Sequence, residues 1–186
     1  GPLPEGIRHG VYHKDGKIHL DAQPMLAGID DVAAAVRAYA ADDGVLLLIG
    51  RRELRSNNSW MHNLPTLVAG KARCTLLVHP DDAAARGLED GKPAVMTSSV
   101  HQAEVPVQIS DDVRPGVVSL PHGWGHAASA AWQRVAGAHA GVSANDWTDD
   151  QQVETVVGQS ILNGVPVRLE PVADAAAAVD RESTTV

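Results

Sequence analysis

Six short runs of apolar and β-branched residues, none longer than seven positions, punctuate most of this chain: Val45–Ile49, Cys74–His79, Ala94–Ser98, Ala103–Ile109, Val117–Leu120 and Val165–Leu169. Turn signals such as Glu89-Asp90-Gly91, Arg114-Pro115-Gly116 and Asn163-Gly164 stand between them. Short strands at close spacing, with helices in the minority, favour a closed β-rich barrel over a doubly wound sheet. Val45–Ile49 is apolar throughout, as a strand covered on both faces requires. Val105, Val107 and Ile109 alternate, which turns one face of their strand inward, and Ser99–Gln102 reads as the connection back to Ala94–Ser98. Pro166 favours an edge or bulged place for the last strand. Pro80–Arg86 reads as a short helix with Pro in its first turn, Asp81 or Asp82 near its positive end and Gly87 to stop it.

Ahead of the first strand the pattern differs. Gly1–Gly28 is rich in Gly, Pro and His and shows no sustained period, apart from a hairpin predicted at Val11–Leu20 around Asp15-Gly16. Asp30-Asp31 is expected to cap a helix from about Val32 to Ala41, with Val32, Val36 and Tyr39 on one face and Gly44 ending it. The chain therefore divides into a lead-in at 1–44, a domain at 45–172, and a tail at 173–186 expected to be disordered or a frayed helix.

Composition narrows the function classes. A formal net charge of -8 and a pI near 5.5 argue against a general nucleic-acid or anionic-membrane binder, which needs a dense positive face. No run approaches the roughly 20 apolar residues of a membrane span. The single Cys74 excludes an internal disulfide and a thiolate zinc or iron–sulfur site. Phe is absent, so the core falls to Val, Leu, Ile and Ala, and the Trp residues become worth locating.

Three of the four Trp lie in segments that also concentrate glycine, amide and guanidinium groups, whereas Trp132 lies in an Ala-rich stretch. The first segment runs from Ile49 through Gly50, Arg51, Arg52, Arg55, Ser56, Asn57, Asn58 and Trp60. Gly50 allows close backbone approach, the Arg forks match anionic oxygens bidentately, and Ser and Asn add short donors. On residues alone, a solvated surface loop is an equally good reading. The second segment is His79–Gly91, where His79 before Pro80 reads as a turn or core residue. The third, Leu120–His126, contains His122, Trp124 and His126. Two imidazoles four apart share a face only on a helix, which the intervening glycines oppose. The fourth, Ser143–Asp149, holds Asn145 and Trp147. Five Asp-Asp pairs each fall at a turn or helix start, where capping explains them better than a cation site.

In order and spacing, these four segments resemble the C-terminal dinucleotide-binding domain of the molybdopterin oxidoreductases, the family of formate dehydrogenases and periplasmic nitrate reductases. The resemblance covers about residues 45 to 172 and implies a six-stranded double-psi β-barrel of the aspartate decarboxylase type, mainly β with short helices. It implies a cofactor-binding role for Gly50, Arg51, Arg52, Arg55, Ser56, Asn57, Asn58, Trp60, His122, Trp124, Asn145 and Asn163. Trp124 is expected near the substrate funnel and Asn145 on the pterin. Asn163 stands where relatives often carry a Lys, and here that charge is missing. The His79–Gly91 segment is a structural signature in the family. No catalytic or metal-ligating residue is expected in this chain, and Cys74, in an apolar strand, is a poor ligand.

The implied cofactor is a molybdenum or tungsten bis-molybdopterin guanine dinucleotide held by an intact, formate-dehydrogenase-like parent, with none expected on the isolated chain, which should be catalytically inactive. Implied partners are the parent's N-terminal domains, with the metal ligand and any iron–sulfur cluster, and a small-molecule substrate. Neither nucleic acid nor membrane is expected, and a cytoplasmic location is the default. The alternatives are a non-enzymatic double-psi barrel used for ligand or protein recognition, and a stand-alone small subunit of a multi-chain molybdoenzyme.

Overall fold

A computed structural model describes Gly6, residues 10–42 and residues 44–173. The expectation for the tail beyond Ala173 lies outside these residues. Six strands form where the sequence predicts them: β1 (Leu46–Arg51), β2 (Leu76–Val78), β3 (Pro93–Thr97), β4 (Gln102–Ile109), β5 (Val117–Pro121) and β6 (Val165–Pro171). They close in the order β1-β5-β2-β4-β3-β6, so the expected double-psi barrel is what the chain builds. Two pairings, β1–β5 and β2–β4, are parallel; the others are antiparallel.

Alternation sets what the barrel contains. Leu46 and Leu48 of β1, Val105 and Val107 of β4, and Val165, Val167 and Leu169 of β6 all point inward and are buried. Trp147, fully buried, is the largest of the fully buried side chains among the described residues and donates from Nε1 to the Met96 carbonyl at 2.9 Å. A buried indole retains its full apolar contribution only when its N–H finds such a partner.

Although the barrel is closed, Pro166 keeps an edge-like place, paired with Leu47 of β1 on one side. Val165–Val167 pair with β1, and Arg168–Pro171 pair with β3. Each half of β6 therefore has its ladder on one side, which tolerates one residue without an N–H.

The first strand is preceded by α1 (Gln23–Ala27) and α2 (Ile29–Ala40), neither of which buries a residue. The helix begins earlier than expected. Gly28 is its N-cap, with no side-chain cap, and Asp30 and Asp31 sit inside its first turn, where they favour the positive end of the dipole instead of capping it. Val32 and Val36, which share one face as expected, are 64% and 61% exposed. The predicted hairpin does not form: Gly16 N donates to the His13 carbonyl at 2.9 Å, closing the turn, but no strands pair on either side of it. Tyr12 and Leu20 stay exposed, so the flanks have no apolar burial to hold them together.

Between strands, α3 (Pro65–Val68), α4 (Pro80–Arg86) and α5 (Arg134–Ala138) are short. In α4, His79 is the N-cap, its Nδ1 accepting from Asp81 N at 3.2 Å, and Gly87 closes the helix at φ 65°. Asp82 Oδ2 accepts from Gly116 N at 2.7 Å, tying this helix to the turn that launches β5. No helix among the described residues is long and apolar enough to cross a membrane.

Candidate functional site

The parallel register of β1 with β5 sets Arg51 beside Pro121, so the chain leaves both strands at the same end of the barrel. The loops that follow, from Arg52 and from His122, are consequently neighbours, and His122 N donates to the Arg51 carbonyl at 3.2 Å. Their side chains converge. Arg52 Nη1 reaches both Asn58 Oδ1 and His122 Nε2, and His122 Nε2 lies 3.1 Å from Asn58 Oδ1. Burial, and secondly the Arg52 charge, hold His122 below the usual imidazole range, which favours the neutral ring that can accept from the guanidinium.

The backbone under this cluster is unusual. Asn57 and Asn58 both adopt left-handed conformations, φ 43° and 62°, which among non-glycine residues Asn tolerates best. Gly123, at φ 100°, passes so close to Asn58 that a Cβ would collide with the Asn58 carbonyl. Here glycine is required twice, for its dihedral and for the contact.

Arg51 does something different from its neighbour. Its guanidinium turns inward, donating to the Ser119 carbonyl, to the Thr75 carbonyl at 2.7 Å and to Thr75 Oγ1 at 3.3 Å, with Glu53 at 3.5 Å. It braces β1 against β5 and the segment entering β2, and burial lowers its pKa. Gly50 and Asn163 likewise hold each other, Gly50 N donating to Asn163 Oδ1 at 2.8 Å. These three residues shape the site from behind.

On the other side of the Arg52–Leu64 loop lies a cavity of about 440 Å³, lined by Arg55, Ser56, His62, Lys71, Cys74 and Trp124 among others. His62 on its wall belongs to a polar pair that sequence reasoning missed: its Nδ1 lies 2.7 Å from His126 Nε2, with His62 3% and His126 9% exposed. The Trp124 ring packs on His62 at a centroid distance of 4.2 Å. Burial lowers the pKa of both imidazoles, His126 adding to the effect on His62, while the Gly123 carbonyl opposes it at both. His62 Nε2 is buried with no hydrogen-bond partner. Nothing local marks His62 in the sequence, since its partner stands 64 positions away. His126 begins a 3-10 turn (His126–Ser129), so His122 and His126 do not share a helical face.

The remaining site expectations separate. Trp60 is 80% exposed, and Asn145 is exposed on a second 3-10 turn (Ala144–Trp147); neither joins the Arg52 cluster or the cavity wall. Cys74 is buried, its thiol pKa raised by burial, and its sulfur sits 3.4 Å from Val142 N. Among the described residues no group of three His, Cys, Asp or Glu side chains is placed to hold a metal.

Comparison with known proteins agrees with this geometry. Residues 46–166 match the family described as molydopterin dinucleotide binding domain. Biotin sulfoxide reductase of Cereibacter sphaeroides is 31% identical over 107 residues, which is 56% of this chain but 14% of that protein. Acetylene hydratase from Pelobacter acetylenicus shares the fold with a TM-score of 0.52 at 19% identity, over 78% of this chain and 20% of its own.

Proposed function

This chain belongs to the molydopterin dinucleotide binding domain family, and from that premise we propose that it is the C-terminal domain of a molybdenum or tungsten oxidoreductase, holding a bis-molybdopterin guanine dinucleotide and closing its active-site funnel. The observation that carries this reading is the convergence of Arg52, Asn58 and His122 over left-handed Asn57-Asn58 at the shared end of β1 and β5. The donor set fits such a group. A guanidinium fork and short amides suit phosphate and heterocycle oxygens, and the Gly123–Asn58 contact leaves no room for a side chain that would fill the cradle. When bound, the cofactor supplies the electron exchange; the residues of this chain bind and orient it.

In this reading Arg52, Asn57, Asn58 and His122 hold the cofactor on the outer side of the loop, Arg55, Ser56 and Trp124 hold it on the cavity side, and Trp60 and Asn145 add contacts from exposed positions. Gly50, Arg51 and Asn163 act through the backbone they fix. The chain covers a small part of its relatives' length, so the metal ligand, any iron–sulfur cluster and most of the substrate contacts belong to other domains of the parent, which are its partners. In this reading the parent is a formate-dehydrogenase-like enzyme, on the strength of the Arg55-Ser56-Asn57-Asn58-Ser59-Trp60-Met61-His62-Asn63 run. A second reading, sulfoxide reduction, is favoured by the match to biotin sulfoxide reductase.

The test is to purify the parent enzyme and an Arg52→Ala/Asn58→Ala variant, measure molybdenum, tungsten and oxidatively released pterin, and assay formate oxidation beside sulfoxide reduction. Metal and pterin in the parent, with at least a tenfold loss in the variant, is the expected result; loss of charge-assisted hydrogen bonds on this scale is roughly that large. A complete parent with neither metal nor pterin overturns the proposal.

A further inference from the structure

A second hollow, which shares no lining residue with the cavity behind the Arg52–Leu64 loop, lies between the helices ahead of the barrel and a turn late in the chain. It is a groove of about 680 Å³, walled by Met25, Ile29 and Val32 on one side and by Val153, Val157 and Ile161 on the other. The walls meet at Gly28, where a Cβ would lie 3.4 Å from Val156 Cγ2. The second wall is a clasped turn, with Glu154 N donating to the Gln159 carbonyl at 2.7 Å and Gly158 N to the Glu154 carbonyl at 2.9 Å. Its shape is therefore set within the chain.

What the groove lacks is cover. Helix α2 buries no residue, and Ile29, Val32 and Val36, at helical spacing along one face, are each more than half exposed. So are Met25, Val153 and Val157. A helix of 12 residues is marginal on its own hydrogen bonds and draws its stability from packing an apolar face. Arg168 pairs with Asp42 just past the end of α2, which anchors the helix there but leaves that face open. Contiguous apolar surface bounded by polar residues marks an interaction site.

Charge and length select the occupant. The charged side chains lining the groove are Asp31 and Glu154, with no Lys or Arg beside them. A second copy seated on the same face would set these carboxylates against their own images, in a chain of net charge -8, and like-charge repulsion opposes that pairing. A surface that carries Lys or Arg around apolar side chains complements the groove. The chain spans 14% of biotin sulfoxide reductase and 20% of acetylene hydratase, so a parent of that size offers far more surface from its other domains than this chain has itself. Helices α1 and α2 also stand ahead of the matched segment 46–166, between the barrel and those domains in sequence. We infer that this groove is the docking face for an apolar segment, flanked by Lys or Arg, of the parent's preceding domains. The inference rests on reading this chain as the C-terminal domain of a larger enzyme, and it names the surface by which that domain is held.

The experiment uses the intact parent enzyme with the photo-crosslinker p-benzoylphenylalanine in place of Val32 and, separately, of Val157. Both positions are largely exposed in this chain, so folding is not at stake. After irradiation, crosslinks from both positions to residues of the preceding domains, at unchanged chain mass, are expected. Crosslinks that double the chain mass assign the groove to a second copy and overturn the inference, as do crosslinks confined to this chain or none at all. Hydrogen exchange is then compared between the parent and the full 186-residue chain. Peptides covering 25–36 and 153–161 should exchange at least about tenfold slower in the parent. Val32→Gln/Val157→Gln should remove that difference while leaving the thermal midpoint of the 186-residue chain unchanged. Equal exchange in parent and chain, or protection that survives the double variant, overturns the inference. If the parent holds metal and pterin while the crosslinks stay within this chain, this inference falls alone. If the crosslinks reach the preceding domains of a parent with neither metal nor pterin, the cofactor reading falls alone.

Discussion

The barrel interior and the loop cap at its β1/β5 end solve the burial problem in opposite ways. Inside the barrel the buried side chains are nearly all aliphatic, and the one polar atom of Trp147 is paired with Met96. In the cap, Ser56, His62 and His126 are buried, two consecutive residues are left-handed, and one ring nitrogen is left without a partner. The contrast teaches where stability and function are kept apart: a dry, self-satisfied core tolerates a strained, polar cap at its rim.

The sharpest way to break this contrast is Trp147→Ala, which removes the largest fully buried side chain and its hydrogen bond to the Met96 carbonyl. It should cost about 3–5 kcal/mol of stability by denaturant unfolding. A cost under about 1 kcal/mol would mean that the barrel does not depend on its core. Next comes Gly123→Ala, where a Cβ meets the Asn58 carbonyl at a left-handed dihedral. Its expected cost is about 1–3 kcal/mol, with hydrogen-exchange protection lost in the cap before the strands. Uniform loss throughout the barrel would show that cap and barrel are one unit.

The boundary between the two regions was also the boundary of what the sequence could show. Pro80, Gly87 and the alternation of Val105, Val107 and Ile109 act locally, so α4 and β4 were legible from their own residues. Gly50-Arg51 was not, because a guanidinium after a strand suits solvent and the Thr75 and Ser119 carbonyls alike; only the register with β5 chooses. His62 was invisible for the same reason, its meaning lying in His126. Asp15-Gly16 shows the opposite failure, a correct local turn with no strands to join.

Arg51→Gln sharpens the comparison at that boundary. Losing the fork that ties three segments together should cost about 1–2 kcal/mol and lower the thermal midpoint. The smallest effect expected is that of pH. His62 and His126 have folded-state pKa values lowered from the ordinary imidazole value, so below about pH 6.5 the unfolded chain binds more protons and stability falls as pH falls. Above that range the contribution is constant. Thermal melts between pH 8 and pH 5 should show this slope, reduced in His126→Asn; a flat profile would show that the pair is not buried.

The Gly50–Asn163 hydrogen bond spans 113 positions, and Gly164 N adds a second clasp to the Leu48 carbonyl at 2.8 Å. During synthesis the loop beginning at Arg52 therefore emerges long before the residues that fix the strand it grows from. Contacts of such long sequence separation form late, because the intervening chain must be closed first. The binding loop is among the first parts of the domain to be made and among the last to acquire its shape, and a chain stopped short of Asn163 would carry every residue of that loop without the two clasps that fix the strand it grows from.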